Sequence, residues 1–255
     1  MITIKSPKEL ELMREAGAIA DAARTACGAA VEPGITTFEL DRIARRVIEE
    51  AGAKPSFLHY NGFPASICCS INSQVIHGIP SKTVKVKEGD LVKIDVGACY
   101  KGFHGDCAAT FAAGTVSPLA SKLMEVTRQS FYEGIKFARP GCRISDVGCA
   151  VQEYCEQNGF SVVREYVGHG IGRAMHEDPE VPNYGKPGHG PRLAAGMTIA
   201  VEPMVNAGSF DVKRLSDGWT VLTADGSLSS HYENTVLITE NGPVIMTAPL
   251  AEEVN

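Results

Sequence analysis

Four carboxylates and one imidazole in this chain stand where chemistry could use them. Asp95 lies in the apolar run Leu91–Val96, and Asp106 opens the return run Cys107–Ala112 after a Lys101-Gly102 turn. A hairpin folded on that turn sets the two acids side by side. An Asp within an apolar strand is ordinarily an edge residue or half of an ion pair. Two buried carboxylates together are costly and repel each other, and a cation between them relieves both problems. The arrangement recurs: Glu202 follows the apolar run Met197–Val201, and Glu233 precedes Val236-Leu237-Ile238. His169 stands between Gly168 and Gly170, which permit close backbone approach. Such oxygen and imidazole donors suit Mn, Fe, Co or Zn, and four negative charges balance two divalent cations. Two ions about 3.5–4 Å apart share a water and lower its pKa toward about 7. Glu202, a carboxylate touching that water, is the candidate to carry its proton to a leaving amine.

The elements that must position these residues come in a repeated order. Ser6-Pro7-Lys8-Glu9 reads as a capping box opening a helix to about Val31, stopped by Pro33-Gly34. A second helix opens at Thr36-Thr37, carries the stripe Leu40, Ile43, Ala44, Val47, Ile48 and Ala51, and ends at Gly52. Ser117-Pro118 then opens a third helix to about Phe137, and a fourth is expected from about Ser145 to Gln157. Pro33 and Pro140, Gly52 and Gly159, Gly89 and Gly196, and Asp95 and Glu202 are each 107 residues apart. The chain thus reads as one catalytic domain, residues 1–255, made of two similar halves, about 6–114 and 115–249. Packed about a pseudo-twofold axis, the halves bring one acid pair each to a common centre. The second pair is spaced 31 residues apart against 11 in the first. The excess, Gly208 to Ser230, is polar, holds the single tryptophan Trp219, and reads as a long connection of functional kind.

Composition narrows the partners. The chain has 255 residues and a net charge of −6, and no basic cluster of the kind that tracks phosphates, so nucleic acid is not expected as a partner. No apolar run approaches the ~20 residues of a membrane span. The N-terminus shows no charged-then-apolar leader, and a cytoplasmic location is expected. Eight cysteines without a paired CxxC spacing read as reduced thiols, mostly small core residues.

The motifs, in order and at matching spacing, resemble those of the type I methionine aminopeptidases. They are His77-Gly78-Ile79-Pro80, Ile94-Asp95-Val96, Gly105-Asp106, Gly168-His169-Gly170-Ile171-Gly172, His176-Glu177, Val201-Glu202-Pro203 and Tyr232-Glu233-Asn234-Thr235. The resemblance spans about Ile4 to Pro249. It implies an α+β pita-bread fold, two αβ halves with a curved antiparallel sheet and helices on its outer face. It also implies two divalent ions (Co, Mn, Fe, Zn or Ni, with Fe or Mn physiological) held by Asp95, Asp106, His169, Glu202 and Glu233, with Asp106 and Glu233 bridging. The implied reaction removes initiator methionine from nascent proteins when the second residue is small. A hydroxide activated by the two metals attacks the scissile carbonyl. His176 would stabilise the oxyanion, and His77 would contact the substrate amide. Phe57, Tyr60, Phe63, Cys68, Met175 and Trp219 would wall a methionine-shaped pocket. Asn72 and Ser229 match a monovalent-cation site. A monomer in transient contact with the ribosome is implied, without zinc-finger or targeting extension before Ser6. His59, His104, His189 and His231 are expected on the surface or in packing. Phe57, Met175, Gly97 and Cys107 depart from the family pattern, which leaves pocket size and metal affinity to be read from structure. Rival readings are a proline-specific peptidase of the same fold and a metal-free binding module.

Overall fold

The computed structural model describes residues 1–250. Its helices are α1 (Pro7–Ala30), α2 (Thr37–Glu50), α3 (Pro118–Ile135) and α4 (Ile144–Gln157). Each lies within one or two residues of its expected span, the ordinary uncertainty of helix ends. The caps act as expected: Glu9 accepts from Ser6 N at 2.9 Å, and Glu39 accepts from Thr36 N at 2.8 Å. The strands are β1 (Lys54–Pro55), β2 (Ile67–Ile71), β3 (Gln74–Ile76), β4 (Leu91–Tyr100), β5 (Phe103–Ala112), β6 (Ser161–Val162), β7 (Gly168–Gly170) and β8 (Glu177–Val181). They continue as β9 (Thr198–Val201), β10 (Met204–Asn206), β11 (Val212–Arg214), β12 (Val221–Thr223), β13 (Ser229–His231), β14 (Glu233–Thr239) and β15 (Gly242–Ile245).

The main sheet has nine strands in the order β1-β4-β5-β14-β9-β7-β8, with β2 on β4 and β15 on β14. Every pair in it is antiparallel. The two halves meet where β5 pairs β14. The 107-residue offset is kept by both ends of α2 and α4, and by both ends of β1 and β6.

Alternation along the strands sorts the sheet into two faces. In the N-terminal half Ala20, Ala23 and Cys27 of α1 and Leu40, Ala44 and Ile48 of α2 pack on Val92, Ile94 and Val96. In the C-terminal half Phe131 and Ile135 of α3 and Ile144 and Val147 of α4 pack on Ile199, Val201, Val236 and Ile238. The residues between these, Asp95 among them, therefore point to the face without helices.

Gly208–Ser230 is not the unstructured connection its polarity suggests. It folds into two small sheets, β11-β12-β3 and β13-β10-β6, completed by strands from elsewhere in the chain. Asp225 and Asp217 make this affordable for so polar a segment. Asp225 accepts from Ser209 N and Ser227 N, and Asp217 accepts from Trp219 N and Thr220 N, all at 2.7–2.9 Å. Among the described residues, no helix is long and apolar enough to cross a membrane.

Candidate active site

Register explains how the five candidate ligands converge. Asp95 and Glu233 both lie opposite Ala108, on either side of β5, and Asp106 lies two residues before Ala108 on the same face. Gly170 pairs with Ile199, so His169 falls opposite Ala200, and Glu202 lies two residues beyond it. All five side chains therefore share the helix-free face. The β5–β14 seam is fastened locally: Asp106 N donates to Thr235 Oγ1, and that hydroxyl donates to Asp106 O, both at 3.0 Å. On the helix side Arg24 Nη1 reaches Glu233 O at 3.2 Å and Ala108 O at 3.4 Å. Gly168 and Gly170 are needed for strand packing. A Cβ on either would stand 2.3 Å from Ala200 O or 2.1 Å from Asp178 O.

The electrostatics of the cluster are those of an anion-rich site largely withdrawn from bulk solvent. Asp106 is pushed up to about 8, first by burial. Burial, then the Asp106 charge, pushes Asp95, Glu202 and Glu233 well above the usual carboxylate range. Burial lowers His169. Its Nδ1 lies 2.8 Å from Gly170 O, and since a carbonyl only accepts, Nδ1 carries the proton. Nε2 is left with a lone pair, 3.7 Å from Asp106 Oδ2 and 3.8 Å from Glu202 Oε1. Asp95 Oδ1, Asp106 Oδ1 and Glu233 Oε1 are buried with no hydrogen-bond partner among the described residues. Unpaired buried carboxylate oxygens in such number are costly. Divalent cations would satisfy all of them, and the donor set fits.

These residues floor a cavity of about 220 Å³. Its walls include every expected pocket residue, Phe57, Tyr60, Phe63, Cys68, Met175 and Trp219, together with His77 and His176. Asn61 also lines it, a residue for which the only sequence signal is an Asn-Gly turn. Phe57, Phe63, Cys68 and Met175 form an apolar cluster of their own, with Tyr60 and Trp219 at its edge. Trp219 packs edge-on to Phe63 with centroids 5.0 Å apart, and to His77 at 6.3 Å. Tyr60 Oη is 2.8 Å from His176 Nδ1, and its ring stacks on that imidazole. Burial draws both His77 and His176 down to about 4, so both are neutral near pH 7.

A family model described as metallopeptidase family M24 matches residues 11–240. This chain belongs to metallopeptidase family M24. Its M24 relatives include the methionine aminopeptidase of Clostridium perfringens, 56% identical over 247 residues, which cover 97% of this chain and 99% of that protein. Methionine aminopeptidase 1 of Bacillus subtilis is 52% identical over the same shares. The crystal structure of methionine aminopeptidase from Thermotoga maritima matches with a TM-score of 0.96 at 44% identity, covering 97% of this chain and 100% of that one. Prolidase from Pyrococcus furiosus shares the M24 fold at a TM-score of 0.79 and 25% identity, but this chain covers only 66% of it. The α+β pita-bread fold and the place among the methionine aminopeptidases of M24, hydrolases that act as exopeptidases, are thereby established.

Three features of this M24 chain go beyond the reading of its sequence. Phe57 and Gly97 are coupled, because a Cβ on Gly97 would stand 2.7 Å from Phe57 Cε1. The larger pocket residue is accommodated by the smaller strand residue. Asn72 and Ser229, expected at a monovalent-cation site, face a side chain of the protein itself. Their carbonyls accept from Lys93 Nζ at 2.8 and 3.0 Å, and burial lowers that amine to about 7. His231 is packed in the interior rather than at the surface, and it stands beside a candidate ligand. It is 2% exposed, and its Nε2 lies 3.6 Å from Glu233 Oε2. Of the other histidines set aside, His59 and His189 are exposed, and His104 Nδ1 is 2.8 Å from Ser56 Oγ.

Proposed function

We propose that this cavity removes methionine from the N-terminus of polypeptide chains, using two divalent cations held by Asp95, Asp106, His169, Glu202 and Glu233. The observation that carries the reading is one of adjacency. Carboxylate oxygens without partners open into the same small cavity whose far wall is aromatic and sulfur-bearing. When bound, the cations supply Lewis acidity, an activated water and an anchor for the free α-amino group.

The chain's own groups do the rest. Glu202 Oε takes a proton from the water and hands it to the leaving amine, a task suited to a carboxylate that lines the cavity beside the other candidate ligands. With the Tyr60 hydroxyl as donor to His176 Nδ1, 2.8 Å away, that ring's proton would sit on Nε2. From there it donates to the developing oxyanion. His77 orients the amide of the second residue, and its edge contact with Trp219 ties it to the pocket wall. Phe57, Tyr60, Phe63, Cys68, Met175 and Trp219 receive the thioether. A small second residue is preferred in this reading, with His77, His176 and Tyr60 among the residues lining the cavity.

In this reading both halves act as one catalytic unit, a monomer in the cytoplasm that meets nascent chains in transient contact with the ribosome. Iron or manganese serves as the working metal, and no nucleic acid or membrane is engaged. A peptide panel on metal-reconstituted protein tests it. Turnover of Met-Ala-Ser, little of a peptide with leucine second, none of Ala-Pro substrates, and loss of turnover in Glu202→Ala are expected. Cleavage of Ala-Pro substrates, or activity unaffected by Glu202→Ala, overturns the reading.

A further inference from the structure

We propose that His231 is a sixth protein ligand of the metal centre, its Nε2 joining Asp95 and Glu233 on one cation at the end of the carboxylate row away from His169. The inference rests on the metal-dependent reading above. His231 is buried, and both its ring nitrogens lack a hydrogen-bond partner among the described residues. Buried polar atoms are nearly always satisfied, so two orphans on one ring call for a partner that the protein does not supply.

The geometry says which. At 3.6 Å, Nε2 is too far from Glu233 Oε2 for a hydrogen bond. It is close to the spacing of two donors on one ion. With bonds of about 2.0–2.1 Å, neighbouring ligands stand about 2.9–3.6 Å apart between right and trigonal angles. His169 Nε2 keeps nearly the same spacing from Asp106 and Glu202, at 3.7 and 3.8 Å. Donor atoms of Asp95, His231 and Glu233 all lie within 4.8 Å of one another, as do those of Asp106, His169 and Glu233. Each end of the row thus pairs carboxylates with one imidazole.

The main chain that carries the ring is held in place. His231 N donates to Thr110 Oγ1, and that hydroxyl donates back to His231 O, both at 2.9 Å. Met204 pairs with His231 across β10 and β13. A backbone pinned from both sides fixes the point from which the buried imidazole reaches the carboxylates. A second nitrogen donor would favour later first-row ions over Mn at this end.

The test counts imidazole ligands. The metal-free full chain is titrated with Co(II) by calorimetry, and exchangeable imidazole N–H signals shifted by the paramagnetic ion are recorded by proton NMR. Two such signals are expected at full loading, with His231→Gln removing one and weakening one binding step at least tenfold. One signal in the unaltered chain overturns the proposal, as does a His231→Gln protein with unchanged spectrum and isotherm. Because the count is taken on the unaltered chain, a poorly folding variant does not remove the test. No Co(II) binding at all would overturn the metal reading itself, a different failure.

Discussion

Gly97 and Phe57 show how far single positions depend on one another. Replacing Gly97 with Ala should cost about 1–3 kcal/mol by overpacking, read from denaturant unfolding, and adding Phe57→Leu should recover part of it. Lys93 is 1% exposed and bonded to two main-chain carbonyls. Lys93→Ala orphans both, so a loss of about 2–3 kcal/mol is expected, partly restored by K⁺ or Na⁺ in melting experiments. The unaltered protein should show no such salt dependence. At this scale the sequence was legible where charge broke an apolar pattern: Asp95, Asp106, Glu202 and Glu233 stand out as acids at strand margins. His231 and Lys93 were not legible, because their roles depend on what the fold brings against them. A lone histidine carries no periodic signal, and Lys93 sits among apolar neighbours whose partners, Asn72 and Ser229, lie 21 and 136 residues away.

Helices were the readable elements, since caps and a 3.6-residue stripe are local signals. The segment Gly208–Ser230 was not, since three-residue strands carry almost no alternation to detect, and β12 finds its partner β3 far back in the chain. That pairing matters to the site, because β3 ends one residue before His77 while the turn before β12 carries Trp219. Asp217 is the peg of that turn. Its two backbone bonds and a 2.7 Å bond from Thr220 Oγ1 hold Trp219 over the cavity. Asp217→Ala should raise KM for methionyl peptides several-fold with little change in kcat. It should also red-shift the emission of Trp219, the only tryptophan, so steady-state fluorescence checks the loosening without reference to turnover.

For the molecule as a whole, the raised carboxylates set the pH response of the metal-free protein. A group whose pKa is higher folded than unfolded stabilises most below its unfolded value, and that contribution is lost as pH rises through the folded one. Asp106 moves from 3.8 to about 8, and Asp95, Glu202 and Glu233 move in the same direction. The melting temperature of metal-free protein should therefore fall as pH rises from about 4 to about 8. Divalent ions should release protons on binding and raise it, by about 2.7 kcal/mol of stability at a hundredfold excess over Kd. The 107-residue repeat was visible in the sequence because α2 and α4 keep one length, as do β1 and β6. Its asymmetry was not: β1 joins the main sheet while β6 pairs with β10, a strand whose partner β13 comes from the long second spacing. Asp106 and Glu233 come from opposite copies, and the ladder joining β5 to β14 has only two residue pairs. An ion held by both carboxylates would then be a rivet across that seam. Stripping it should let amide exchange quicken where β5 meets β14 before the helix-covered interiors open.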